Sequence, residues 1–139
     1  MGTRSLTFVY DDGKPVMNMY RQFDGYIAGH GQELAEFLMS GKLVNGYGSK
    51  TEPQFNGMGC LAAQMICNFK NGVGGFYIYS VDSTDCWQDY EYHVFEDKVI
   101  VSNPNDVIFE GSWNDFHSFC YDTEDEAEVD ETEQRLVTG

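Results

Sequence analysis

The sequence predicts an α+β domain, in which an antiparallel sheet of about six strands packs with two or three helices. Short runs of β-branched and aromatic residues occur near both ends of the chain, and polar turn residues separate them. Two stretches between these runs carry apolar residues at the i, i+3, i+4 spacing of a helix. Because strands and helices are segregated along the chain, we expect an N-terminal hairpin and a C-terminal meander.

The chain begins with the predicted hairpin. Apolar and aromatic residues recur along segments 6–10 and 16–23, which are the two expected strands. The segment 11–14 reads Asp-Asp-Gly-Lys, and its Gly13 accepts the positive φ that tight hairpin turns require. A glycine-containing loop is expected at residues 25–31.

Two amphipathic helices are predicted next, at residues 32–40 and 58–70. The intervening residues 42–57 are rich in glycine and proline, so they are expected to form a loop. The apolar face of the first helix consists of Leu34, Phe37 and Leu38. That of the second consists of Met58, Leu61, Ala62, Met65, Ile66 and Phe69.

The second half of the chain predicts further strands and a third helix. The strands are expected at residues 76–81, 90–95, 98–102 and 107–110. Ser112 and Asp115 have the spacing of a capping box, which predicts that a helix begins there. Residues 1–121 are therefore expected to form one domain, and residues 122–139 an acidic, disordered tail.

The charge balance excludes some partners. The chain has 23 acidic and 8 basic residues, a net charge of -15, and residues 122–133 hold eight acids and no base. Nucleic acids and anionic membranes bind clusters of Lys and Arg, so direct binding to either is not expected. No basic-then-apolar export signal occurs at the N-terminus, which favours a cytoplasmic location, in the host bacterium if a phage encodes the chain.

The cysteines do not indicate a metal site. Cys60, Cys67, Cys86 and Cys120 form no Cys-x-x-Cys pair, and with the three histidines they lack zinc-finger spacing. We expect reduced thiols, no metal and no cofactor.

The first candidate site joins the second strand to the first helix. Its expected ligand-binding residues are Tyr20, Arg21, Gln22, Asp24, Tyr26, Gly29, His30 and Gly31. A helix N-terminus favours an anion, an arginine holds phosphate or carboxylate, and a tyrosine stacks on a base. These residues predict a small anionic, nucleotide-like ligand. The alternative is structural: Arg21 pairs with Asp24, His30 bonds a neighbour, and the glycines serve the turn.

The second candidate site is a cysteine on the first turn of a predicted helix. A thiolate is favoured there, and papain-like hydrolases place their nucleophile in this way. Gln54 stands six positions before Cys60, as an oxyanion-hole glutamine would, and His93 follows in the order that such enzymes use. The flanking residues depart from the papain signature, and the alternative is an inert core cysteine.

The third candidate is an acidic surface in the second half of the chain. Its residues are Asp82, Asp85, Asp89, Glu91, Glu96, Asp97 and Asp106. A solvated face is the ordinary explanation of such a pattern. An acidic surface also suits a protein that mimics nucleic acid and blocks a basic partner.

Three strings of residues resemble a family. They are Met1-Gly2-Thr3-Arg4-Ser5-Leu6-Thr7, then Tyr20-Arg21-Gln22-Phe23-Asp24-Gly25-Tyr26 with Gly29-His30-Gly31, and Phe55-Asn56-Gly57-Met58-Gly59-Cys60-Leu61-Ala62-Ala63-Gln64. These strings resemble a group of small phage and bacterial proteins without an established activity. The resemblance covers about residues 1–121 and implies a phage-linked setting, but no catalytic residues.

The sequence therefore favours a binding protein over an enzyme. The first hypothesis is a phage-type anti-defence protein, a homo-oligomer that sequesters a small anionic, nucleotide-like ligand without turning it over. The alternative is an acidic inhibitor that mimics nucleic acid and binds a host defence protein through the acidic surface and the tail. The second alternative is a cysteine hydrolase that uses Cys60, His93 and Gln54.

Overall fold

A computed structural model describes residues 2–46 and 52–123. The strands are β1 (Ser5–Asp11), β2 (Lys14–Arg21), β3 (Lys42–Val44), β4 (Gln54–Asn56), β5 (Phe76–Tyr79), β6 (Tyr90–Val94), β7 (Val99–Ser102) and β8 (Val107–Gly111). The helices are α1 (Gln32–Met39), α2 (Gly57–Phe69) and α3 (Trp113–Asp122). The predicted α+β class is confirmed.

The main sheet has six strands in the order β5-β2-β1-β6-β7-β8. The β1–β2 hairpin and the β6–β7–β8 meander form as predicted, with antiparallel pairing. The pairing is mostly antiparallel, as predicted, and the one parallel contact among the described strands of this sheet joins β6 to β1. β5 also leaves the meander and pairs with the outer side of β2. Because β5 is antiparallel to β2, it already runs in the direction of β1, and residues 80–89 then cross over to β6, which keeps that direction.

All three helices lie on one face of the sheet, which we call the helical face. Strand residues alternate between faces, so β1 directs Thr7 and Val9 to the helices and Leu6 and Phe8 away from them. The core of the helical face is formed by Val9, Met17, Met19, Ile27, Leu34, Ala35, Phe37, Leu38, Phe55, Met58, Leu61, Ala62, Met65, Phe69, Tyr92, Val94, Val99, Val101, Phe116 and Cys120.

The opposite face is covered in part by residues 80–89, which we call the strap. Leu6, Phe8 and Tyr20 are buried there, with Cys86 of the strap packed against them. The Asn18 amide donates to the carbonyls of Ser80 and Ser83, at 2.9 and 3.0 Å. These bonds fix the strap over the sheet although it contains no regular element.

Several element boundaries differ from the predictions. The loop expected at 25–31 contains a π-helical turn, Ile27–Gly31, that leads directly into α1. The loop expected at 42–57 contains β3 and β4, a short parallel pair. α3 begins at the predicted cap, where the Ser112 hydroxyl accepts from the Asp115 amide at 3.1 Å. It ends at Asp122, one residue past the predicted domain limit, so the tail prediction for 124–139 falls outside the described residues.

Candidate functional site

The first candidate segment forms a buried hydrogen-bond network. Arg21 Nη1 donates to His30 Nδ1 at 3.1 Å and to Glu33 at 2.7 Å, and Arg21 Nε donates to the Phe23 carbonyl at 2.6 Å. His30 Nε2 lies 2.7 Å from the Thr7 hydroxyl. Because an arginine can only donate, Nδ1 accepts and Nε2 carries the proton of a neutral imidazole. His30 is fully buried, and burial, aided by the Arg21 charge, holds its pKa well below 6.5.

The charge of Arg21 is therefore compensated inside the protein. Glu33 accepts from it at 2.7 Å, and Asp24 lies at 4.0 Å. The predicted role of Arg21 as an anion grip loses its basis, since an anion would meet two carboxylates beside the guanidinium. These contacts fit a structural role for Arg21 and His30 better than a role in ligand binding.

The other residues of this candidate do not gather around one ligand. Tyr20 lies on the face opposite Arg21, stacked on Tyr79 with ring centroids 4.8 Å apart. Tyr26 and Gly31 are buried, and the backbone amide of Gln22 donates to the Gly75 carbonyl.

The glycines of this segment serve close packing of the chain on itself. A Cβ on Gly29 would lie 2.6 Å from the Asp24 carbonyl, and one on Gly31 would lie 3.2 Å from Cys120 Sγ. Asp24 itself adopts a positive φ of 63°. The close approach of the chain's own atoms explains Gly29 and Gly31 without a ligand, and their role in ligand binding stays a prediction.

The cysteine-hydrolase arrangement was also wrong. Cys60 lies on α2, on the helical face, where its thiol donates to Gln64 at 2.9 Å. His93 lies on the opposite face, stacked on Phe8 with centroids 5.1 Å apart. The sheet separates the two side chains, so His93 cannot deprotonate Cys60. Gln54 is in β4, and it has no nucleophile–base pair to assist.

A cleft of about 420 Å³ opens between the strap and the turn that joins β7 to β8. The residues that line it are Thr84, Asp85, Trp87, Gln88, Asp89, Tyr90, Glu91, Ser102, Asn103 and Pro104. These residues include three carboxylates and no Lys or Arg. We call this site the Trp87 cleft.

Trp87 is the most unusual residue of this cleft. Its side chain is 84% exposed, although tryptophan is usually largely buried. Its φ is +61°, a left-handed conformation that bulky residues rarely adopt. The strap therefore presents a large indole to solvent at the edge of an acidic cleft.

A hydrogen-bond chain holds Glu91, which lines the Trp87 cleft. Tyr10 donates to His93 Nδ1 at 2.6 Å, His93 Nε2 donates to Glu91 Oε1 at 3.0 Å, and Gln88 donates to Glu91 Oε2 at 2.8 Å. The His93 hydrogen bond, helped by Gln88, lowers the pKa of Glu91 despite its partial burial. Glu91 is thus held as a charged, oriented carboxylate.

Asp85, Asp89 and Glu91 were predicted to belong to an acidic surface, whereas Trp87 was not predicted as a site residue. The available signal was a tryptophan between acidic and polar residues, in Asp85-Cys86-Trp87-Gln88-Asp89, outside any apolar periodicity. Such a residue has no core position to fill, which favours a role at the surface.

Comparisons with family models, curated proteins and solved structures find no match. The resemblance to phage and bacterial proteins therefore stays a prediction. Among residues 2–46 and 52–123, no three His, Cys, Asp or Glu side chains are grouped to hold a metal ion. In the same part of the chain, no helix is long and apolar enough to cross a bilayer.

Proposed function

We propose that the protein is a non-catalytic binding protein, and that its Trp87 cleft holds a basic side chain of a partner protein. The observation that carries the proposal is the exposed indole of Trp87 at the edge of a cleft whose charged groups are all carboxylates. This is the acidic-inhibitor alternative of the sequence analysis, now assigned to a defined surface. A host defence protein as the partner stays a prediction.

The chemistry of the cleft suits an arginine or a lysine. An indole face attracts a cation by about 0.5–2 kcal/mol, and carboxylates around it add hydrogen bonds and charge attraction. Asp85, Asp89 and Glu91 supply these carboxylates. The net charge of -15 would further draw a basic protein toward this surface.

Capture of a small anionic, nucleotide-like ligand is a weaker proposal. A hollow of about 400 Å³ does lie beside Arg21, between α1, α2 and β5. Glu33 and Glu36 also line it, together with Phe37, Phe69 and Phe76. An uncharged aromatic ligand suits this lining better than a phosphate, since the carboxylates repel anions.

The proposal is tested with a short oligo-arginine peptide and isothermal titration calorimetry. We expect Trp87→Ala to weaken binding by about tenfold, the equivalent of roughly 1.4 kcal/mol. Phe23→Ala is the matched control, because Phe23 is 51% exposed and does not line the cleft. Equal affinities for the Trp87 and Phe23 variants would contradict the proposal.

Two further variants separate the cleft from general charge attraction. Asp85→Asn and Asp97→Asn each remove one negative charge, but only Asp85 lines the Trp87 cleft. We expect the first to weaken binding more than the second. A chain that ends at Thr123 keeps α3 and its cap while removing residues 124–139. Full loss of binding in that chain would assign recognition to the tail instead.

A further inference from the structure

β5 lies at one edge of the six-stranded sheet and pairs only with β2 within the described residues. An unpaired edge can accept another strand, so proteins usually protect edges with charges, proline or bulges. None of these occurs in β5, Phe76-Tyr77-Ile78-Tyr79. Residues 71–81 as a whole contain no charged side chain.

The orientation of the β5 backbone follows from its bond to β2. The Gly75 carbonyl accepts from the Gln22 amide at 2.8 Å, so it points toward β2. Main-chain groups alternate in direction along a strand, so those of Phe76 and Ile78 point away from the sheet. The Phe76 carbonyl accordingly accepts from Lys70 Nζ at 2.7 Å, outside the sheet. The amide and carbonyl of Ile78 are left at the open edge.

Apolar side chains surround this open backbone. Ile78 is 58% exposed and Tyr77 44%, and Val73 in the preceding turn is fully exposed. The other sheet edge, β8, differs because Glu110 lies on it, Asp106 precedes it, and a register irregularity interrupts its pairing with β7. β5 itself carries no charged side chain, and Lys70 reaches only the carbonyls at its start, so this edge is the less protected of the two.

We propose that the β5 edge pairs with the β5 edge of a second copy of this chain, in an antiparallel arrangement about a two-fold axis. With the axis through Ile78, each Ile78 amide donates to the Ile78 carbonyl of the other copy. Tyr77 then lies opposite Tyr79 of the other copy on the same face, because paired residues share a face. The two sheets become one sheet of twelve strands.

A second copy fits this edge better than a charged partner. A molecule with a net charge of -15 repels its copies over most of its surface. The stretch 71–81 has no charge to repel a copy or to attract a basic protein. A two-fold pairing also uses the same surface from both molecules, which a self-complementary strand satisfies.

The first test is the concentration dependence of mass in sedimentation or light scattering. We expect a dimer for the wild type. For Ile78→Lys we expect a dimer dissociation constant at least about tenfold larger, which is a loss of roughly 1.4 kcal/mol of association free energy. Val107→Lys is the matched control, because Val107 is 62% exposed on the opposite edge strand. A monomeric wild type, or equal effects of both lysines, would overturn the proposal.

A covalent trap keeps the test decisive if Ile78→Lys fails to fold. Residues paired about the axis stand about 5.5 Å apart between Cα atoms, a span that a disulfide bridges. Ile78→Cys in a Cys67→Ser background, treated with diamide, should give a disulfide-linked dimer. Val107→Cys in the same background should remain monomeric on a denaturing gel. The reverse pattern, or no cross-link at position 78, would refute the β5 pairing.

Discussion

At the scale of single residues, the polar network around Arg21 is a device of the fold. Buried ionisable groups are costly unless they are paired, and each member here has a partner. Thr7, His30, Arg21 and Glu33 connect β1, the π-helical turn, β2 and α1. The network therefore ties the start of the first helix to two neighbouring strands of the sheet.

This network predicts a pH dependence of stability. The folded pKa of His30 lies below its unfolded value of 6.5, so the unfolded state binds the extra proton. The stability that neutral His30 contributes is present in full above about pH 6.5 and declines as the pH falls below it, by at most about 1.4 kcal/mol per pH unit. Urea unfolding at a series of pH values measures this decline.

His30→Gln is the variant that isolates this residue, because glutamine does not titrate. Its stability should lie below that of the wild type at neutral pH, and the difference should shrink in acid. His117→Gln is the control, because His117 is on the surface of α3 and bonded to Glu36. A difference between the wild type and His30→Gln that stays constant with pH would contradict the assignment.

At the scale of elements, the strap shows how hydrogen bonds from neighbouring strands can attach irregular chain to a sheet. Its attachment depends on the buried Asn18 amide, which reaches two strap carbonyls. Arg4 adds a second attachment, since its backbone amide and carbonyl bond to Asp89 at 3.1 and 2.8 Å. Trp87 is exposed between these two attachments.

Asn18→Ala is therefore expected to loosen the strap while leaving the sheet folded. The loss of the two hydrogen bonds from Asn18 to the strap carbonyls should cost about 1–3 kcal/mol. Hydrogen exchange should speed up at the amide of Ser83, which donates to Ser80 at 3.0 Å, more than at amides of β1. Unchanged exchange at Ser83 would show that other contacts hold the strap. Asn68→Ala is the control, since Asn68 is exposed on α2.

At the scale of the whole molecule, burial of the core favours folding and the excess negative charge opposes it. One layer of helices on one face of a mixed sheet buries a single large core. The net charge of -15 opposes compaction through self-repulsion. Few cations offset it, and the ion pairs Arg21–Glu33 and Lys98–Glu110 are both within 3.2 Å.

Added salt should therefore stabilise the protein. Screening weakens the repulsion among the acids more than it weakens these short pairs. We expect the midpoint of urea unfolding to rise between low and about 0.5 M sodium chloride. Sodium sulfate at equal ionic strength would add a separate exclusion effect, so chloride is the proper probe. A midpoint that falls with salt would mean that the ion pairs outweigh the repulsion.

The sequence by itself determined the local elements. The hairpin, the two central helices, the meander and the Ser112 cap all depend on periodicity or on turn and cap chemistry, which act within a few residues. The π-helical turn and the short β3–β4 pair were not predicted, because such local signals are weak in their sequences. Their conformation depends on distant contacts.

Only the tertiary structure decided how these elements meet. The parallel pairing of β1 with β6, the removal of Arg21 from solvent and the separation of Cys60 from His93 depend on contacts between residues far apart in sequence. The exposure of Trp87 has the same origin, because composition records a tryptophan but not which side of a strap it occupies. The type of each residue determined which chemistry it could supply, and the path of the chain between the strands determined which residues lie on one surface.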